Sequence, residues 1–466
     1  MKQVSKAHSV ACRMTQQRNA LEMLTLAAVL LAAVLLMTSS PSLAAERFTS
    51  PTGNGTTCSQ TSPCDNHTAI RASIPGDIVT MLNGTYRGAN HLLDIGAFAS
   101  GKSGSNGIPI TVRAQNDGAV LIDGQGTALP CYLNGNEWWV FEGFNCAESN
   151  QSVVLLFESN NNIYRRICAW NAGGSNDHVW NIWNGNDNLF EDICGFGNGR
   201  TILTEFSDDA TTMRNIYRRF WARWEGWRAG TGGPYLVWQM NYGTLGNYLV
   251  ENGIGVWGGG RPTGGNPGAV IKVLANSGMA FNGGADGHPA GARLLGTLVY
   301  GYSAASIVPS VGWLNAVSGG RITLQDVVVL DSGFNFPHGP VYASCVDAGD
   351  CPNAVINRVT TVRGAVASTV GDAWSVTGFQ EAPSLSQRDP YNTGTSEASL
   401  CYRYIDGVRT GTPLWPWPMD DRIKAALELA GSSPLAGSAA PGYAAGTVTS
   451  EVASNLGPIP AACITH

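Results

Sequence analysis

The chain has 466 residues, of which 13% are charged, with 28 Lys+Arg against 34 Asp+Glu. A net charge of −6 provides no basic surface to neutralise phosphates, which excludes nucleic acid as a partner. So long a chain exceeds one ordinary domain, which splits beyond about 250–300 residues, unless its core grows lengthwise.

The N-terminal segment reads as an export signal. Lys2, Lys6, Arg13 and Arg18 precede an apolar run from Leu24 to Met37, and Ser42-Leu43-Ala44 supplies small residues for cleavage. That is the three-part pattern of a secretory signal peptide over residues 1–44. The apolar run is shorter than the ~20 residues of a spanning helix. An uncleaved membrane anchor is the alternative. Cleavage removes four basic residues and one acidic residue, leaving 24 Lys+Arg against 33 Asp+Glu, a net of about −9. The expected product is secreted or periplasmic, with no membrane partner after cleavage. Ten cysteines then remain, an even number suited to an oxidising compartment. Cys58 with Cys64, and Cys345 with Cys351, are close enough to staple local loops. No spacing resembles a zinc site.

Residues 45–126 read as an N-terminal cap with the first coils. Asp65 or Asn66 caps a short helix through Ile74. Pro75-Gly76-Asp77 is a turn, followed by a strand over residues 78–82. Asn83-Gly84 turns the chain into Thr85-Tyr86. Two more strands cover residues 108–113 and 120–122.

The middle third carries a repeat. One column reads Phe141, Tyr164, Phe190, Tyr217, with spacings of 23, 26 and 27 residues. A second column, Phe144, Ile167, Ile193, Phe220, keeps the same spacings. Strand-like repeats at the short end of ~20–50 residues indicate a solenoid of the parallel β-helix type. Each coil over residues 127–410 is expected to hold two strands. First strands are expected at 152–157, 178–183, 201–206, 235–240, 269–274, 312–317, 341–346 and 373–377. Second strands are expected at 163–169, 248–252, 293–300, 322–330 and 355–362. Asn, Asp and Gly fill the turns, as left-handed and Asx positions require. Cys168 and Cys194 share one column with Asn145 and Trp221, where they either pair or pack as small apolar residues.

Three stretches break the regularity: 257–268, 275–292 and 379–398. They are either loops that shape a binding face or tolerated insertions. Residues 411–466 form a C-terminal cap and a loosely ordered tail. Within them, residues 413–419 are expected to cover the last coil's open edge. Asp420 is expected to cap a helix over 421–430.

The opening strings SPTGNG, CSQTSPC, IPGDIVTMLNGTYRG and GSNGIPITVRAQNDGAVLIDGQG resemble the start of secreted bacterial right-handed parallel β-helix proteins. The likeness spans about 80 residues. That pectate-lyase-like group includes polysaccharide lyases of the chondroitinase-B and alginate-lyase type. The resemblance implies an all-β fold, a single-stranded right-handed parallel β-helix, and a polysaccharide partner. In such lyases a lysine and an arginine near one coil apart abstract the C5 proton, protonate the leaving oxygen and neutralise the uronate carboxylate, often with calcium. Lys272 and Arg293 lie 21 residues apart and are similar to that pair. Lys272 falls on a first strand and Arg293 on the second strand of the same coil, which is a departure.

The residues themselves offer further candidates. Arg214, Arg218, Arg219, Arg223, Trp224, Trp227 and Arg228 form the densest cluster. Tryptophan faces stack on sugars, and arginine holds carboxylates bidentately. Arg219, Arg223, Trp224, Trp227, Arg228 and His288 are therefore candidates for substrate binding. The competing reading buries the tryptophans and pairs the arginines in an Arg–carboxylate ladder with Glu191 and Asp192. Strand alternation turns Arg218 and Arg219 opposite ways. Glu205 with Asp177 or Asp208 is a candidate carboxylate pair for glycoside hydrolysis, which needs a ~5–9 Å separation. Asp208-Asp209 is a candidate Ca2+ turn or an ordinary turn. His178 and His288 are candidate bases. The expected function is a carbohydrate-active β-helix, a polysaccharide lyase acting on an acidic polymer with Lys272, Arg293 and Glu205 as catalytic groups. The alternative is a non-catalytic, monomeric glycan-binding or structural surface module.

Overall fold

The computed structural model describes residues 44–174, 176–206, 214–226, 236–242, 248–257, 271–274, 292–301, 311–316, 322–330, 341–345, 354–362, 375–382, 390–391, 399–431 and 446–464. The segment read as an export signal, Cys351, and the irregular stretches 258–268 and 275–291 lie outside them.

The architecture is the expected parallel β-helix. Strands from successive coils pair in parallel, in an 18-stranded sheet and an 8-stranded sheet. The register reproduces the repeat: Tyr164 sits opposite Phe141 and Phe190, and Phe190 opposite Tyr217. Parallel neighbours lie ~4.8 Å apart, close to the stacking distance of aromatic rings. The four rings stack accordingly, with centroids 4.9, 5.2 and 4.9 Å apart. Phe144, Ile167, Ile193 and Phe220 are buried beside them. From Val250 onward the first column becomes aliphatic.

Beneath the turn that precedes these columns runs a buried asparagine ladder. Asn188 Oδ1 accepts from the Asn162 backbone N–H at 2.9 Å, and Asn215 Oδ1 accepts from the Asn188 backbone N–H at 2.9 Å. The ladder pairs turn amides that would otherwise be orphaned inside the solenoid.

In four coils the expected second strand is split in two, as Trp139–Glu142 and Asn145–Ala147, Ile163–Arg165 and Cys168–Trp170, Leu249–Glu251 and Ile254–Trp257, and Ala292–Leu295 and Leu298–Gly301, while Leu189–Asn198, Ile216–Gly226, Ile322–Leu330 and Ala354–Val362 run through. The expected second strand bends at a residue in the left-handed region, in a column formed by Gly143, Arg166, Asp192, Arg219, Asn252, Gly296, Asp326 and Arg358. Arg166, Asp192 and Arg219 have φ of 52°, 52° and 54°. A side chain there costs about 1–2 kcal/mol per residue, and the paired strands on both sides hold it in place. The bend also breaks strand alternation. Arg218 and Arg219 consequently meet carboxylates on one side: Arg218 Nε reaches Glu251 at 2.7 Å and Arg219 Nε reaches Asp192 at 2.6 Å. Both also contact Glu191 at 3.1 Å. The Arg–carboxylate ladder is present, and the opposite orientation expected from simple alternation is corrected by the corner.

The 8-stranded sheet takes one strand from each coil, from Cys131–Asn134 through Val154–Phe157, His178–Trp183, Thr201–Phe206, Leu236–Tyr242, Ile271–Leu274 and Val311–Ala316 to Val341–Cys345. The segment expected as a further first strand at 373–377 behaves differently. Ser375–Ala382 pairs with Ala354–Val362 in the other sheet.

The N-terminal cap contains the expected helix, Asn66–Ala72, with Asp65 as its N-cap accepting from Thr68 N–H at 2.7 Å. Cys58–Cys64 is a disulfide, and Cys168–Cys194 pairs rather than merely packing. Cys131–Cys146 and Cys401–Cys463 are further disulfides.

The C-terminal segment departs from expectation. Among the described residues it runs as a strap back along the lateral face of the solenoid, covering two outward columns, one with Trp170, Phe196 and Tyr300 and one with Trp221 and Ile254, with Leu414, Trp415, Trp417 and Met419. An antiparallel hairpin, Tyr402–Ile405 with Val408–Pro413, docks on the corner column. There Asn252 Oδ1 accepts from Tyr404 N–H at 2.6 Å, and Glu251 Oε1 accepts from Gly407 N–H at 2.6 Å. The helix Asp420–Leu429 reaches the first coils, where Arg422 donates to Asn145 Oδ1 at 2.8 Å and to Phe144 O at 3.0 Å. Asp420 is the first helical residue and accepts from Thr449 N–H at 2.9 Å instead of capping. A second helix, Val448–Leu456, orders part of the tail expected to be loose. The physical reason is the apolar row itself: coils that expose aromatic side chains need a cover.

Candidate functional site

Three strands of the 8-stranded sheet, Val154–Phe157, His178–Trp183 and Thr201–Phe206, build a groove on its outer face. Their alternation sends Val154, Leu156, Trp180, Ile182 and Leu203 into the solenoid, where all are buried. The intervening residues Leu155, Asn181, Trp183 and Phe206 are half-buried on the outer face. The groove has a volume of about 430 Å3 and is lined by Gln151, Ser152, Leu155, Asn176, Asp177, His178, Asn181, Trp183, Arg200, Thr204 and Phe206.

One end of the groove is aromatic. Phe157, Trp183 and Phe206 occupy one column, edge to face, with centroids 5.5 and 5.2 Å apart. The other end is polar. His178 Nδ1 lies 2.5 Å from Thr201 Oγ1. Burial, with a smaller contribution from the Arg200 charge, pushes the imidazole down to about 3, so it is neutral at neutral pH. Burial raises the Asp177 carboxyl, partly opposed by a hydrogen bond from the Gly174 backbone. Arg200 donates through Nη1 to Asn176 Oδ1, and its backbone N–H reaches Asp177 O at 2.8 Å. Between the two ends, Asn181 and Thr204 form the floor.

No protein-family model matches this sequence, and no curated protein matches it. Solved structures with similar backbones include polysaccharide lyases. Pectate lyase Pel9A aligns at a TM-score of 0.45 and 15% identity, over 79% of this chain and 85% of that one. An alginate lyase from Paenibacillus sp. str. FPU-7 aligns at 0.42 and 15%, over 72% and 98%. A rhamnogalacturonan lyase aligns at 0.42 and 14%, over 72% and 87%. The assignment of the parallel β-helix rests on the strand register.

The groove collects few of the residues expected from the sequence. Lys272 belongs to the same sheet. Its register runs Tyr132, Leu155, Asn181, Thr204, Gln239, Lys272, Gly312, which is the floor column continued. Arg293 does not join it. It lies on the other sheet, opposite Leu249 and Thr323, with its guanidinium against Gly407 of the docked hairpin. Gly407 has φ +82°, and a Cβ there would collide with Arg293 Nη1. The Lys272–Arg293 pair is therefore split between two sheets.

Glu205 is also corrected. It lies between Thr204 and Phe206 but points inward and is 0% exposed. Asn215 Nδ2 donates to Glu205 Oε1 at 3.0 Å, and Tyr217 Oη donates to Oε2 at 3.1 Å. Burial raises its pKa to about 8 against these two hydrogen bonds. A carboxyl enclosed in the solenoid reaches no polymer, so it cannot pair with Asp177 across a glycosidic bond.

The tryptophan–arginine cluster is structural where it is described. Trp224 is 2% exposed and donates through Nε1 to Gly199 O at 2.7 Å. Arg223 is buried, paired with Glu225, and sits 5.4 Å over the Trp221 ring. Arg219 is committed to Asp192 and Glu191. None of the three offers a face to a sugar. Trp227, Arg228, His288, Asp208 and Asp209 lie outside the described residues. Among the described residues no cluster of three His, Cys, Asp or Glu side chains is placed to hold a metal ion.

The groove residues that the sequence reading passed over had a signal. Phe157, Trp183 and Phe206 each end a correctly placed first strand, and their shared column was legible from the repeat spacing.

Proposed function

We propose that this chain is a secreted carbohydrate-active protein that takes an acidic polysaccharide across the outer face of the 8-stranded sheet. The observation that carries this reading is the groove: aromatic rings at one end, hydrogen-bonding side chains on the floor, and an arginine at the other end. Sugar rings offer apolar faces to aromatic side chains, while their hydroxyls need paired polar partners. Disulfides at Cys58–Cys64, Cys131–Cys146, Cys168–Cys194 and Cys401–Cys463 fit an oxidising compartment.

The chemistry we assign is β-elimination. Lys272, in the continuation of the floor column, is the base that removes the proton at C5 of a uronate; the electron pair forms the C4=C5 double bond as the C4–O bond breaks, and the departing oxygen takes a proton from water. The test is the absorbance of the unsaturated uronate after incubation with alginate, chondroitin and pectate, with and without Ca2+. The parent chain is expected to generate the signal, and Lys272→Ala is expected to lower the rate at least 100-fold, a typical contribution of a general base. No signal on any polymer sinks the catalytic reading.

A second reading has its own support. Arg293 lies on another sheet and Glu205 lies inside, so neither accompanies Lys272. A glycan-binding module without catalysis needs only the groove. Binding of these polymers without product would establish it.

A further inference from the structure

We infer that Arg200 forms a carboxylate-reading subsite at the polar end of the groove, making Arg200 the residue that selects anionic over neutral sugar chains. The inference rests on the groove being the glycan site.

Arg200 stands apart from the other arginines around the coils. Arg165, Arg166, Arg214, Arg218 and Arg219 each meet a carboxylate. Among the described residues, Arg200 meets only the neutral amide oxygen of Asn176, through Nη1. Its Nε is buried without a hydrogen-bond partner. A guanidinium carries five donors in a fixed fork, and a buried donor left unmade is costly. The neighbouring carboxyl does not answer it, because Asp177 is turned to the Gly174 backbone and meets Arg200 only through a main-chain bond. Asn176 braces one arm of the fork at the groove wall. The terminal Nη donors outside the Asn176 contact, rather than the buried Nε, match a bidentate carboxylate, which is planar and singly charged.

The spacing adds a constraint on length. His178 is opposite Thr201, next to Arg200, and Trp183 is opposite Phe206. Five residues of strand separate the two ends, about 16 Å at ~3.3 Å per residue. One sugar ring cannot occupy both ends. An oligosaccharide lying along the strand direction can place a carboxylate at Arg200 and a ring face at Trp183.

The test is calorimetric titration of the full chain with pentasaccharides of galacturonate, mannuronate and guluronate, and with neutral cellopentaose and xylopentaose. Arg200→Gln is expected to weaken the preferred oligouronate at least tenfold and to leave neutral binding unchanged. Arg200→Lys, which keeps the charge and loses the fork, is expected to fall between. The parent should bind the pentasaccharide more tightly than the monomeric uronate. Unchanged oligouronate affinity in Arg200→Gln overturns the subsite, and if Trp183→Ala then still abolishes binding, the groove reading survives alone. Equal losses for acidic and neutral chains also overturn it, since Arg200 would then only support the groove wall. A parent chain that binds no pentasaccharide overturns both the subsite and the groove.

Discussion

Two outer faces of this solenoid carry aromatic rows, and they have opposite fates. On the lateral face Trp170, Phe196 and Trp221 are 2% exposed or less, sealed beneath Trp415 and Trp417. On the 8-stranded sheet Phe157, Trp183 and Phe206 remain half-buried beside an open groove. A coil repeat projects large side chains on both faces by the same period. Among the described residues, what differs is the cover that the C-terminal segment places over the lateral row. An aromatic row that the chain covers contributes to stability, while one left open is available to a ligand.

Substitutions on the two faces should separate these roles. Trp415→Ala removes a ring that is 1% exposed and whose Nε1 donates to Leu400 O at 2.8 Å. It is expected to cost about 3–5 kcal/mol, read as a large fall in the urea midpoint. A loss below about 1 kcal/mol would mean that the strap is not integral to the fold. Loss of the Cys401–Cys463 bridge, which ties the hairpin's start to the chain's end, is expected to cost about 2–4 kcal/mol. The Cys401→Ser, Cys463→Ser double variant tests this by thermal unfolding.

The interior behind the open face has a pH signature. Glu205 keeps its proton to about 8 when folded, against 4.5 for a free side chain. Between those values the folded state holds a proton that the unfolded state has lost. Stability therefore falls as pH rises, by up to about 1.4 kcal/mol per pH unit, and levels above about 8. In Glu205→Gln that component should vanish, so the difference in unfolding free energy between variant and parent should grow from pH 5 to 8. A constant difference would show that Glu205 does not titrate in this window. The smallest stability effect is expected at Trp183→Ala, below about 1 kcal/mol for a half-exposed ring, although it should abolish glycan binding. A larger loss of stability would erase the contrast between the faces.

Much of the fold was legible in the residues. The strands His178–Trp183 and Thr201–Phe206 have the expected bounds, because their apolar positions alternate and their ends are marked by Asn, Asp and Gly. The site was less legible. Arg219, Arg223 and Trp224 looked like a sugar platform because the sequence clusters them. Their contacts come from neighbouring coils and from the bend at Arg219, which a linear reading of alternation does not contain. Glu205 was misplaced for a related reason. A carboxylate inside an otherwise apolar column breaks the pattern by which the inward face is recognised.

By itself the sequence determined the coil period, the stacked columns and the parallel β-helix, since these follow from short-range alternation repeated at near-constant spacing. Only the tertiary structure decided which aromatic row is covered, where the corner turns, and which charges are already paired. Those outcomes depend on contacts between residues as distant as Asn145 and Arg422, and no local pattern encodes which surface a returning segment will bury.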